Sequence, residues 1–260
     1  MGSGRGYGFA ALAMIVGFWA SDAVAGTVDF KAGDGAALRG SEYGKGANGV
    51  VLVHDKGKSS GDWTFFAEKL AASGFHVLSV DLRGHGASPS AAPLTDADYP
   101  KMSQDVVAAA AWLRSKGATR VAVVGANFGA NAAMVAAAED PRVDTVALLS
   151  PGLNLGGIAI GAPVEKYGDR PLLVVASSED AYAVRSVTFI DGKALGDCEV
   201  QLLENAGSGV RMLNRDSGIE STLLSWLNGS YKLQNGQRPA ANVNTGDKVD
   251  IQTSGKKFGE

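Results

Sequence analysis

Two of the side chains that carry enzyme chemistry, cysteine and histidine, are scarce in this sequence. A single cysteine, Cys198, is present among 260 residues. One thiol excludes an intramolecular disulfide even in an oxidising compartment. It opens a predicted strand, Cys198–Leu203, and a half-buried role without reactivity is expected of it. The three histidines, His54, His76 and His85, are too few and too scattered for a zinc site, so no metal is expected. Gly125-x-x-x-Gly129 is not the dinucleotide fingerprint G-x-G-x-x-G, and no phosphate-cradling G-x-x-x-x-G-K occurs, so no cofactor is expected either. Charge is nearly balanced, with 24 Lys and Arg against 27 Asp and Glu, for a net charge of -3. Nothing there attracts nucleic acid or an anionic membrane surface.

Long apolar runs are absent too, with one short exception. Phe9–Ala20 is an uncharged run of 12 residues, preceded by Arg5 and followed by Ala23-Val24-Ala25. It falls short of the ~20 residues that span a bilayer. The three parts match the n-region, h-region and small-x-small cleavage site of a secretory signal. Residues 1–25 are therefore expected to be a signal peptide cut before Gly26, leaving a secreted or periplasmic protein with no stable membrane anchor. Residues 229–260 are mostly polar and read as a loosely attached tail.

Between these ends lies an apolar-rich, glycine-rich chain, 45% hydrophobic with 35 glycines. Thr27–Phe30 and Ala36–Tyr43 read as an antiparallel pair around Gly33-Asp34-Gly35. Strand patterns follow at 50–54, 76–81, 121–124, 143–149, 171–176 and 198–203. Helical patterns fall at 62–72, 102–116, 128–138, from about 180, and at 217–227. Alternation of this kind predicts an α/β domain over 26–228, with a mostly parallel eight-stranded sheet flanked by helices. The stretch 150–170 is too short for a separate cap domain, so an open pocket is expected.

One segment is more specific. Val121-Ala-Val-Val-Gly125-Ala-Asn127-Phe128-Gly129 reads as a strand, a tight turn and a helix. It has the shape of the nucleophile elbow G-x-S-x-G, with asparagine where the serine stands. Four more segments come in a consistent order. They are Val51-Leu-Val-His54-Asp55-Lys56-Gly57, Asp81-Leu-Arg83-Gly84-His85-Gly86-Ala87-Ser88, and the pair Val174–Asp180 with Glu204–Gly209. Together they resemble the α/β-hydrolase superfamily, and most the small cap-less esterases related to dienelactone hydrolase. That resemblance implies the α/β-hydrolase fold and an ester-hydrolase ancestry. It places Asn127 at the nucleophile position, Asp180 at the acid position and Ser208 at the histidine position. The backbone N–H groups of Phe128 and of Lys56 (or Asp55) would form the oxyanion hole.

A carboxamide does not attack an ester, and a hydroxyl does not replace an imidazole base. Asparagine does tolerate the positive φ that the elbow requires, so Asn127 keeps the turn while removing the nucleophile. Asp55 puts a carboxylate beside the oxyanion hole, and His85 lies on a loop near the pocket mouth; both are candidate ligand-binding residues. Asp180, with no imidazole to orient, reads equally as a helix N-cap. The expected function is an exported, catalytically degenerate hydrolase-fold protein that binds an unknown small molecule or protein partner. The alternative is an active ester or acyl hydrolase that uses rearranged residues, with His85 as the one relocated base to consider.

Overall fold

Three strands of the chain are buried at every residue: β4 (His76–Asp81), β6 (Thr145–Leu149) and β9 (Leu172–Ser177). Their near-continuous Val, Leu and Ala content is what a parallel strand covered on both faces requires. β3 (Asn48–Val53) and β5 (Arg120–Ala126) are buried beyond their first residue. The computed structural model of the chain describes residues 26–90, 92–215 and 217–233. The predicted signal segment, and all of the predicted tail after residue 233, lie outside these.

β1 (Gly26–Lys31) and β2 (Ala37–Tyr43) form an antiparallel hairpin, as its glycine-rich turn predicts. β2 also runs antiparallel to β4. The remaining pairings in the main sheet are parallel and end at β10 (Cys198–Leu203). The eight strands lie in the order β1-β2-β4-β3-β5-β6-β9-β10.

Alternate residues of each strand feed opposite cores, because strand side chains alternate faces. Val51 and Val53 of β3 join one core with α2 (Met102–Ser115), α3 (Phe128–Glu139), α4 (Gly161–Tyr167) and α5 (Ala181–Lys193). Val50 and Leu52 join the other, with α1 (Thr64–Ala72), α6 (Arg211–Arg215) and α7 (Ser217–Leu233). The alanine-rich α3 is buried on almost every side, which suits a helix lying directly under the site.

The structure differs from expectation in three places. A single 3-10 turn, Ser60–Trp63, precedes α1, so the helix starts later than its apolar pattern suggests. α7 extends to Leu233, past the predicted stop at 227 and into the first residues assigned to the tail. The stretch 150–170 contains α4 and a small antiparallel hairpin, β7 (Asn154–Leu155) with β8 (Ile158–Ala159). Two-residue strands carry no periodicity that a sequence can display. No large cap domain is present among the described residues.

Candidate functional site

β5 ends in a turn at Asn127, with φ 49 and ψ -116, and α3 begins at Phe128. The turn is this tight because two glycines let backbone pass backbone. A Cβ on Gly125 would lie 2.3 Å from the Gly129 carbonyl oxygen. One on Gly129 would lie 2.4 Å from the His54 oxygen and 2.5 Å from that of Val53. The Asn127 N–H donates to the Leu149 carbonyl at 2.8 Å, which ties the turn to the end of β6.

The Asn127 carboxamide is engaged at both ends. Its Nδ2 donates to Asp55 Oδ2 at 3.0 Å. Its Oδ1 accepts from the Ser208 hydroxyl at 2.6 Å. This is the amide orientation in which both bonds form, because a carboxylate can only accept. Asp55 Oδ1 accepts from the Lys56 N–H at 2.7 Å and from the Phe128 N–H at 3.2 Å. These are the two backbone donors that the resemblance assigns to the oxyanion hole. They converge on a carboxylate of the chain itself.

Asp180 stands at the start of α5, and its Oδ1 accepts from the Ala183 N–H at 3.0 Å. It acts as an N-cap while also lining the pocket. Its neighbour Glu179 has a different task. It takes hydrogen bonds from the Ser177 hydroxyl, from the Asn205 N–H at 3.1 Å and from the Gly207 N–H at 2.9 Å. The Ser177 hydroxyl, followed by these backbone donors, holds its carboxyl far down, at about 2. Glu179 thereby fixes the loop that presents Ser208. The Gly209 N–H completes that loop by donating to the buried Ser150 hydroxyl at 3.0 Å.

Asp55, Lys56, Asn127, Phe128 and Asp180 all line one cavity of about 330 Å³ at the carboxyl ends of the strands. Leu155 and Gly156 of the β7–β8 hairpin, with Pro151 and Tyr182, form apolar walls. Two side chains hold the hairpin over the cavity. The buried Asn131 donates from Nδ2 to the carbonyls of Gly152 and Ile158 and accepts from the Gly152 N–H. The Tyr182 hydroxyl bonds the backbone of Asn154. At the rim, the Lys56 ammonium lies 3.6 Å from the centre of the Tyr99 ring, which packs edge-on against Phe128.

None of the three histidines lines this cavity. His54 accepts from the Leu82 N–H at Nε2 and donates from Nδ1 to the Asp55 carbonyl, which fixes its tautomer. Burial pushes its pKa down, so it is a neutral brace beneath the Asp55 loop. His76 pairs with Glu42 at 2.7 Å on β2. His85 donates to the Arg83 carbonyl and packs 5.3 Å from the His54 ring, apart from the pocket walls. Its loop is tied down by Arg83, which bonds the buried Asp105 of α2 and Asp34 of the first hairpin. Among the described residues no group of three or more His, Cys, Asp or Glu could hold a metal ion.

Sequence reasoning passed over Glu179, Asn131 and Tyr182. In sequence, nothing separates Glu179 from its neighbour Asp180. The signal for Asn131 was available: it is a polar residue inside a helix that is otherwise apolar on every face.

A mostly parallel eight-stranded sheet, helices on both faces and a strand-to-helix elbow at the mouth of a pocket define the α/β-hydrolase fold. The chain has the α/β-hydrolase fold and is similar in structure to small esterases of that fold, dienelactone hydrolase among them. Residues 45–167 match the family model for serine aminopeptidases of the S33 group. In sequence the chain is 34% identical over 130 residues to the lipase LipV of Mycobacterium tuberculosis, covering 49% of this chain and 47% of the lipase. The chain thus spans about half the length of that curated relative. Among solved structures, an esterase of Pyrococcus furiosus superposes with a TM-score of 0.68 at 19% identity, covering 79% of this chain and 92% of the esterase. A dienelactone hydrolase of Anabaena variabilis gives 0.66 at 18%, covering 79% and 97%.

Proposed function

We propose that this chain is an exported, catalytically silent member of an esterase and lipase superfamily, and that it binds a small molecule in the old substrate pocket. The observation that carries this reading is the Asn127 carboxamide, bonded at one end to Asp55 and at the other to Ser208. A hydroxyl that donates to a neutral amide is not activated for attack, because nothing takes its proton. Where a triad acts as a unit, losing its serine or its histidine alone costs about 10⁶ in kcat. The surviving cavity, about 330 Å³ with apolar walls and a few fixed polar groups, has the character of a small-ligand site. Export rests on Arg5, the apolar run 9–20 and Ala23-Val24-Ala25.

The test is direct. The purified protein is offered a fluorophosphonate probe and a series of short acyl esters. No labelling is expected, and no turnover above a heat-denatured control. Saturable turnover that a single change at Asn127, Asp55 or Ser208 abolishes would replace this reading with a rearranged active site.

A further inference from the structure

The floor of the cavity has a charge opposite to the one its backbone donors are built to meet. Two N–H groups and one amide N–H₂ converge on a point where an anion is favoured, and the Asp55 carboxylate already fills it. A carboxylate offers about four acceptor positions. Three are used here, which leaves an acceptor position on a carboxylate that lines the cavity, while both backbone donors are spent on it. Asp180 adds a second carboxylate to the same wall. The cation among the lining residues, Lys56, holds its ammonium over the Tyr99 ring. A ligand entering between Leu155, Pro151 and Tyr182 therefore meets apolar walls and a negative, hydrogen-bond-accepting floor.

The geometry points to Asp55 as the residue that sets the ligand class. The pocket takes a neutral molecule with an apolar body that ends in a hydrogen-bond donor, such as a hydroxyl, and it rejects the matching carboxylate. The inference rests on the reading of the cavity as a small-molecule site. Asp55 outcompetes an external acid for two reasons. It is tethered beside the donors, so it does not lose translational freedom in meeting them. A second carboxylate would also have to approach its charge beside apolar walls, and like charges so placed discriminate against it.

The experiment compares 1-octanol with octanoate at pH 7.5, each titrated into the purified protein by calorimetry. The native protein is expected to bind octanol and to bind octanoate at least ~100-fold more weakly. In Asp55→Gly the Lys56 and Phe128 N–H groups are released, and octanoate affinity should rise until it equals or exceeds that of octanol. Asp55→Asn, neutral and nearly isosteric, should bring the two affinities within about tenfold of each other. It carries the test if the glycine variant does not fold. Equal binding of acid and alcohol by the native protein would overturn the inference and leave the binding site standing, as would a preference that neither variant changes. If neither probe binds the native protein or the variants, the small-molecule reading falls, and this inference with it.

Discussion

The two sides of the pocket floor are built in different ways. On the elbow side, backbone meets backbone: Gly125 against Gly129, and Gly129 against the carbonyls of Val53 and His54. The close approach itself uses no side chain, so a residue at 127 that tolerates positive φ keeps the turn. Across from it, the segment 54–56 and the loop 205–209 are held by carboxylates. Asp55 gathers the N–H groups of Lys56 and Phe128, and Glu179 gathers those of Asn205 and Gly207. A shape fixed by backbone packing does not depend on the chemistry of the side chain it presents. A shape fixed by one side chain takes its chemistry from it, and here Asp55 sets a carboxylate on both backbone donors.

The comparison breaks most visibly at the elbow. Gly129→Ala places a methyl group within 2.5 Å of two carbonyl oxygens that belong to a central strand end and cannot move aside. Overpacking against backbone should destabilise the protein by about 3 kcal/mol, read as a lower midpoint in chemical denaturation. A variant as stable as the native protein would show that the elbow is not held by close backbone approach.

A smaller, pH-dependent effect should follow from the other side. The Glu179 carboxyl is depressed from its ordinary 4.5 to about 2. A depressed carboxyl stabilises the fold above its unfolded value, and that contribution disappears as pH falls through its folded value. Glu179→Gln should therefore melt below the native protein at neutral pH. The gap in Tm should narrow as pH falls from about 4.5 to about 2, where native Glu179 becomes protonated. A gap that stays constant over that range would mean that Glu179 does not hold the Ser208 loop through its charge.

The same contrast explains what the sequence made visible. Continuous apolar strands and glycine-punctuated helices announce a parallel α/β sheet, because burial on both faces leaves no other pattern. The elbow is legible for the same reason that it is robust: Gly125 and Gly129 are required by the backbone itself. Asp55 was legible as a carboxylate near the hole, but not as its occupant. Side-chain direction depends on which donors the fold brings together, and Phe128 is 73 positions away in sequence. Glu179 and Asp180 are adjacent and chemically alike, yet one braces a loop and the other caps α5. Only the contacts separate them. The β7–β8 hairpin was missed because glycine-rich turn sequence masks strands of two residues, whose hold on the fold comes from Asn131 and Tyr182 instead.

The central claim is that Asp55 occupies the site where a reacting oxyanion would have to sit. It is tested most directly by rebuilding the missing chemistry with and without that carboxylate. Asn127→Ser with Ser208→His supplies a nucleophile and a base, and Asp180, at the acid position that the resemblance assigns, lines the same cavity. Removing one oxyanion donor typically costs 10²–10³ in kcat, and Asp55 engages both backbone donors. Measured on a short acyl ester, the double variant should stay near background. The triple variant with Asp55→Gly should exceed it by at least ~100-fold, with an acyl-enzyme burst. A double variant as active as the triple would contradict the account, since Asp55 would then not stand in the way of the oxyanion.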